Sequence, residues 1–309
     1  MRVRVETPAR LHFGFLDLSG ETGRLYGGVG VGIDRPRALV EAERADGVVV
    51  NADDAAYFEN LVRDAVEALD VPGAYLEVQD ALPRHVGLGS GTQHASAVLE
   101  AVARANGVEA TRRHVREMGR GVRSGVGRAV FEDGGFVVDA GHPVDADRHE
   151  RRVPSVAVRH DLPSEWRLVV GVPDGAGAHG ETEERRMRRV VSDPSGTGDA
   201  VRRAFLGRVL PGAAEGNVES FGEGVAELDR LNGELYADEQ GGVYHERSEP
   251  FVEKFSAHDA VAGAGQSSWG PSFYAVTTKR DAEAVAQSIE VETYVASVDR
   301  QGARVSLLV

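Results

Sequence analysis

Cysteine is absent from the 309 residues. That excludes disulfides, thiolate catalysis and cysteine-ligated metals. Lysine is nearly absent: Lys254 and Lys279 are the only two, and arginine supplies the rest of the 35 basic residues. No apolar run approaches the roughly 20 residues of a membrane span, and Met1-Arg-Val-Arg-Val-Glu6 has no signal-peptide core. A cytoplasmic location, with no membrane partner, is the expectation. The arginines form no long stripe, so nucleic acid is not an expected partner. Repeats and low-complexity tails are missing, and the histidines nowhere show the spacing of a zinc site.

What is present is acidic. Asp and Glu number 49, giving a net charge of -14. An acidic, lysine-poor chain suits a halophile, because concentrated salt screens repulsion over a few ångströms. A GC-rich genome would also favour arginine over lysine. The hydrophobic content of 41% supports real cores, and the length suggests two domains around one site.

Residues 2–6 alternate as a starting strand, and 39–43 and 48–50 read as two more. Phe58, Leu61, Val62, Ala65, Val66 and Leu69 recur at helical spacing, predicting a helix over about 54–69. Tyr75–Val78 is a strand, Thr111 caps a short helix to about Met118, and Gly134–Asp139 is a turn and strand. The polar stretch 142–165 holds the domain boundary, dividing the chain into 1–160 and 161–309. Strand-like Leu168–Val172 opens the second half, followed by helical patterns at 181–192, 199–209, 217–237 and 249–261. Ser272–Thr277, 291–298 and 303–309 are strand-like, and 281–288 is helical. Strands and helices mix without regular βαβ alternation, so the fold class is α+β.

Pro83-Arg-His-Val-Gly-Leu-Gly-Ser-Gly-Thr-Gln93 carries most of the functional information. A glycine-rich turn opening into a helix aims several N–H groups at one point, where the positive end of the helix dipole also attracts phosphate. Gly87, Gly89, Ser90, Gly91, Thr92 and Gln93 are therefore candidate phosphate-binding residues. Two further glycine-rich loops are expected, at Arg10–Asp17 through Gly23–Asp34 and at Gly263–Pro271.

The three segments, in this order, resemble the GHMP kinase superfamily. The resemblance implies a ribosomal-protein-like N-terminal domain and a ferredoxin-like C-terminal domain. Ser124-Gly-Val-Gly-Arg-Ala-Val130, followed by Gly134-Gly135, is similar to the kinase segment whose aspartate helps activate the attacking hydroxyl. The matching position here is Gly127, which holds no proton. Ala9–Gly14, Gly87–Gln93, Gly119–Gly127, Gly135–His142 and Gly265–Pro271 resemble one non-kinase branch, the archaeal β-ribofuranosylaminobenzene 5′-phosphate synthases. That resemblance implies joining phosphoribosyl pyrophosphate to an aromatic carboxylate, 4-aminobenzoate or 4-hydroxybenzoate. CO2 and pyrophosphate leave, and the product is a C-riboside on the route to methanopterin. It also implies a homodimer. An ATP-dependent small-molecule kinase and a non-catalytic phosphate-binding protein are the competing readings.

A leaving pyrophosphate calls for arginines, amides and Mg2+, although no metal ligands are fixed. Asp17 is a candidate for Mg2+ or the ribose hydroxyls, and Arg24 for a phosphate; together they would otherwise pin the Gly20–Gly23 turn. His12 is a candidate hydrogen-bond partner of a substrate oxygen. Arg120 and Arg123, ahead of Ser124, suit pyrophosphate or the benzoate carboxylate. Asp139 is a candidate metal ligand or acid, or else turn chemistry with His142. Gln266, Ser267, Ser268 and Trp269 would contact the acceptor, Trp269 by stacking on its ring or else by closing the domain interface.

Overall fold

The computed structural model describes residues 1–119, 121, 123–146, 152–175, 180–192 and 198–308. The first half runs β1 (Arg2–Asp17), β2 (Arg24–Arg44), β3 (Gly47–Asn51), α1 (Ala55–Leu69), β4 (Gly73–Asp80), α2 (Ser90–Ala105), α3 (Arg112–Glu117), α4 (Val126–Asp133), β5 (Phe136–Asp139), β6 (His142–Pro143) and β7 (Val156–His160). The second runs β8 (Trp166–Gly171), α5 (Gly180–Ser192), α6 (Gly198–Ala204), a π-helical turn (Phe205–Val209), α7 (Leu210–Glu215), α8 (Val218–Gln240), α9 (Glu249–Ser256), β9 (Gly263–Gln266), β10 (Phe273–Thr278), α10 (Ala282–Gln287), β11 (Thr293–Ala296) and β12 (Arg304–Leu308). No helix among the described residues is long and apolar enough to cross a membrane.

Two sheets carry these elements. The larger has the order β12-β1-β2-β4-β3, with β5 and β6 also on β2 and β7 on β5; the smaller has the order β11-β8-β10-β9. The expected division into 1–160 and 161–309 is crossed by the last strand. Residues 304–308 return to the first sheet, pairing antiparallel with β1 from Arg2↔Leu308 to Glu6↔Arg304. Periodicity identifies such a strand but says nothing of its partner.

The expected first glycine loop is corrected. Arg10–Asp17 and Arg24–Asp34 lie in two long antiparallel strands, paired from Arg2↔Glu43 to Asp17↔Tyr26. Their glycines mark close approaches within a sheet. A Cβ on Gly30 would stand 2.4 Å from the Leu11 carbonyl, and one on Gly14 would stand 2.5 Å from the Asn232 amide. A register shift between Pro8 and Ala9 divides β1 between two cores. Val3 and Val5 pack in the core under α1 and α2, whereas Ala9, Leu11 and Phe13 enter a core shared with the second sheet and α8. An irregularity of this kind re-aims every later side chain. The helix expected over 249–261 is shorter, ending at Ser256.

Phe221 of α8 sits at the centre of the shared core, with ring centroids 5.1 Å from Trp166, 5.4 Å from Phe136 and 6.1 Å from Phe13. The arginine bias also appears in the packing. Arg2 and Arg4 on β1 both fork onto the buried carboxylate of Glu41 on β2, at 2.6 Å each. Burial alone would raise this carboxyl, but bonds from Arg4 and Arg2 outweigh it and hold it below its ordinary value.

One polar contact seals the second half against the first. Asn232 of α8 is buried and acts as a strand would. Its Oδ1 accepts from Phe15 N at 2.9 Å, and its Nδ2 donates to the Phe15 carbonyl at 3.2 Å. Asn232→Leu keeps the approximate volume but strands both backbone groups. Urea unfolding should show a loss of about 2–3 kcal/mol; unchanged stability would contradict this account of the junction.

Candidate active site

The three glycine-rich segments, distant in sequence, meet on one hydroxyl. The Ser267 side chain accepts from His12 N at 3.0 Å and donates to the Gly87 carbonyl at 2.7 Å. The Arg10 guanidinium donates to the same carbonyl. Backbone bonds reinforce the junction: Ser268 N to His12 O at 3.0 Å, Arg10 N to Leu88 O at 3.1 Å, and Ser272 N to Val86 O at 2.9 Å. Gly87 sits at φ +93°, and a Cβ there would lie 2.2 Å from the Ser267 carbonyl. Both the conformation and the space require glycine.

This junction fixes the start of α2. Gly89, at φ +76°, is the N-cap, and no side chain caps the helix. Its carbonyl takes the N–H groups of Thr92 and Gln93, each at 3.1 Å. Those of Ser90 and Gly91 find no acceptor among the described residues. They stand at the wall of a cavity of ≈ 710 Å³ that is also lined by Arg10, Arg84 and Arg123. Arg84 lies 3.7 Å above the Tyr57 ring and is ion-paired with Asp54, two contacts that fix its guanidinium. Unpaired amides, a helix dipole and three guanidinium groups make this half of the cleft an anion site.

His12, Ser124 and Asp139 form a directed hydrogen-bond chain beside it. Gly14 N donates to His12 Nδ1 at 3.2 Å, so the ring proton resides on Nε2. Nε2 then donates to Ser124 Oγ at 3.3 Å, and Ser124 Oγ donates to Asp139 Oδ2 at 3.0 Å. Burial, with Arg10 and Arg123 nearby, depresses the His12 pKa well below its ordinary value, so the imidazole is neutral. Burial raises the Asp139 carboxyl despite amide bonds from Gly141, Gly125 and Gly28 and the Ser124 bond. The chain packs directly on Gly28, where a Cβ would stand 2.4 Å from Ser124 Oγ. His12 and Ser124 line the cleft, whereas Asp139 lies behind them and positions them. His142 is not in this chain; its ring meets Tyr26 edge-on at 6.2 Å.

Other candidates fall elsewhere. Asp17 is five residues beyond His12 on an extended strand, about 16 Å at the usual rise. Its carboxylate closes the hairpin end, accepting from Ser19 N, Ser19 Oγ and Gly20 N at 2.8 Å and from Thr22 Oγ1 at 2.6 Å, and it faces Arg202 at 3.4 Å. Burial would raise this carboxyl, but bonds from Thr22, Ser19 and Gly20 outweigh it and lower it. Arg24 donates to the Ala140 and Gly141 carbonyls outside the cleft. Neither reaches the anion site. Gln93 is fully buried, accepting from Thr7 Oγ1 at 2.5 Å and donating to the Gly127 carbonyl at 2.7 Å. Arg120 lies outside the described residues.

The opposite half of the cleft comes from the second sheet and α8. The third glycine segment is partly strand, since Gly263–Gln266 forms β9. Gln266 lines the cleft with its amide engaged: Oε1 accepts from His245 N at 2.6 Å, and Nε2 donates to the Ser268 carbonyl at 3.0 Å. Ser268 also lines it, at φ +58°. Trp269 stacks on Tyr236 at 4.5 Å and packs with Phe15 and Met187, so one indole face is already covered. Tyr236, Tyr244 and Asp229 line this half and were not anticipated. Arg10 and Arg84 were missed too, although each sits inside a recognised motif, two residues before His12 and directly after Pro83.

Position 127 faces the cleft, and a Cβ there would lie 3.1 Å from Thr92 Cγ2. Among the described residues lining the cleft, the one carboxyl is Asp229, on the opposite half. Ser267→Ala should loosen the anion site by removing the acceptor of His12 N and a donor to Gly87. We expect a stability loss of about 1–3 kcal/mol and weaker pyrophosphate binding by calorimetry. Unchanged pyrophosphate affinity would contradict the proposed role of the junction.

Comparison with known proteins accords with this geometry. Residues 56–131 match the model of the GHMP kinases N terminal domain, and 209–296 match GHMP kinases C terminal. A beta-ribofuranosylphenol 5'-phosphate synthase of Methanothermobacter thermautotrophicus is 32% identical over 299 residues, covering 89% of each chain. One of Archaeoglobus fulgidus is 33% identical over 287 residues, covering 89% of this chain and 88% of that protein. Lactococcus lactis galactokinase superposes with a TM-score of 0.69 at 12% identity, covering 98% of this chain and 95% of its own, a likeness of fold. The chain belongs to the GHMP kinase superfamily and, within it, to the family of the beta-ribofuranosylphenol 5'-phosphate synthases.

Proposed function

We propose that this protein transfers the phosphoribosyl group of phosphoribosyl pyrophosphate to a para-substituted benzoate, releasing pyrophosphate and CO2. The relatives' name specifies a phenol product, which favours 4-hydroxybenzoate over 4-aminobenzoate as acceptor. The observation that carries the reading is Gly127, a side-chain-free position at the cleft wall against Thr92. A kinase requires a proton acceptor within about 3 Å of the attacking hydroxyl. A transfer completed by decarboxylation does not require one there.

The cleft suits each part of such a reaction. The donor's pyrophosphate docks on the Ser90 and Gly91 amides with Arg10 and Arg123, which gain most as the anomeric C–O bond breaks and its electron pair leaves with pyrophosphate. The oxocarbenium-like ribose carbon is then met by the ring carbon bearing the acceptor's carboxylate. A C–C bond forms, the C–CO2 bond breaks, and its electron pair restores aromaticity. Tyr236, Tyr244 and Trp269 supply an apolar wall for the ring, so orientation is this half's main contribution. His12, neutral and fixed by Ser124 and Asp139, adds no second cation beside the developing positive charge.

Mg2+ belongs to the proposal as a companion of the donor's pyrophosphate. No three His, Asp or Glu side chains among the described residues converge to hold a metal.

The test uses carboxyl-labelled 4-hydroxybenzoate, phosphoribosyl pyrophosphate and Mg2+ in concentrated salt. Labelled CO2 should be released only when both organic substrates are present. ATP consumption with a small alcohol, and no CO2 release, would overturn the reading in favour of a kinase.

A further inference from the structure

Asp229 is the unexplained group in the cleft. It lies on α8, is only 6% exposed, and is the one carboxyl among the described cleft-lining residues. Gln266 N donates to its Oδ2 at 2.6 Å. Among the described residues no cation offsets its burial, only the Gln266 backbone bond. The groups facing it are phenolic, Tyr244 from the segment after α8 and Tyr274 from β10. The Tyr274 hydroxyl is buried without a hydrogen-bond partner. Gly265 separates carboxyl from phenol, and a Cβ there would stand 2.2 Å from Asp229 Oδ2 and 2.7 Å from Tyr274 Oη. A chain selected for stability alone would pair such a carboxylate or replace it.

We propose that Asp229 is a catalytic residue that takes the acceptor's phenolic proton as the C–C bond forms and returns it after CO2 leaves. This inference rests on the transferase reading and assigns the acceptor's orientation within it. The ring's carboxylate-bearing carbon faces the ribose, and its para hydroxyl reaches across the aromatic half to Asp229. When the ring carbon attacks, electron density drains from the para oxygen. Loss of its proton to Asp229 leaves a neutral dienone in place of a cation. Loss of CO2 sends an electron pair back through the ring to that oxygen, and the Asp229 carboxyl reprotonates it. One proton leaves and one returns, so no co-reactant is needed. Burial raises the Asp229 carboxyl well above its ordinary value. That brings it toward the range of the phenol it serves, which is the match that proton transfer favours. A carboxyl on the opposite half from position 127 suits a base for the acceptor's far end rather than for the reacting carbon.

The test compares the full chain with Asp229→Asn, which retains shape and an acceptor for Gln266 N. Raised burial of a charge destabilises the folded state as pH climbs through the carboxyl's shifted value, because the folded form then holds more protons than the unfolded. The variant should therefore melt at or above the wild-type temperature at neutral pH. Its kcat with 4-hydroxybenzoate should fall about 10²–10⁴-fold, with the KM for phosphoribosyl pyrophosphate unchanged. The acidic limb of the wild-type kcat profile should vanish with it. A folded variant that keeps both wild-type kcat and the acidic limb would overturn the proposal while leaving the transferase reading intact. A wild-type protein that releases no CO2 would remove that reading and this one together. If the variant does not fold, 4-methoxybenzoate serves on the wild type, since it has no proton to give. Competition with 4-hydroxybenzoate without turnover supports the proposal, and turnover at a comparable rate overturns it.

Discussion

The Ser267 hydroxyl holds the site together. It accepts from β1 at His12 N and donates to the 83–93 loop at the Gly87 carbonyl. Segments more than two hundred and fifty residues apart in the chain thereby share one oxygen. The Arg10 guanidinium, on the same carbonyl, is oriented by that junction as well. The anion site is therefore a property of the packed chain: remove the tertiary junction and the loop is only a glycine-rich turn. Burial gives such bonds their importance, because an unmatched backbone group in a closed interior costs far more than a made bond contributes.

Around this junction the cleft divides by chemistry. One half presents amides and guanidinium groups, the other aromatic rings and a lone carboxyl. Neutral His12 lies between them with its tautomer set by Gly14 and its ring held by Ser124 and Asp139. The scaffold resembles that of sugar kinases, yet glycine occupies position 127. In the proposed reaction the same architecture binds a polyphosphate while serving a different bond. In that proposed reaction the side chains that meet the second substrate come from α8 and the third glycine segment, which line the opposite half of the cleft.

Local signals explain what the sequence made legible. Pro83–Gln93 is a turn followed by a helical pattern, so its role follows from short-range geometry. Glycine at 14, 28, 30 and 32 looks like loop composition, which hides the full length of the first hairpin's strands. In the fold those positions are close approaches, to Asn232, Ser124, Leu11 and Val130 respectively, and no local pattern distinguishes the two uses. Asp17 and Arg24 are near His12 in sequence, but an extended strand separates neighbours faster than any other structure. Asp229 was invisible for the opposite reason. It is one acid on a long amphipathic helix, and only the packing of β9 and β10 against α8 shows it to be buried. Gln93 lies within the phosphate motif yet faces inward, because the first turn of α2 has an inner side as well as an outer one.

The central claim is the division of the cleft into a pyrophosphate half and a ring half. A crystal structure with pyrophosphate and the phenol riboside phosphate bound tests it directly. The account predicts pyrophosphate oxygens on the Ser90 and Gly91 amides beside Arg10, and the phenol against Tyr236 and Tyr244 with its oxygen at Asp229. Pyrophosphate seated on Arg24, or the phenol lying beside Gly127, would contradict it.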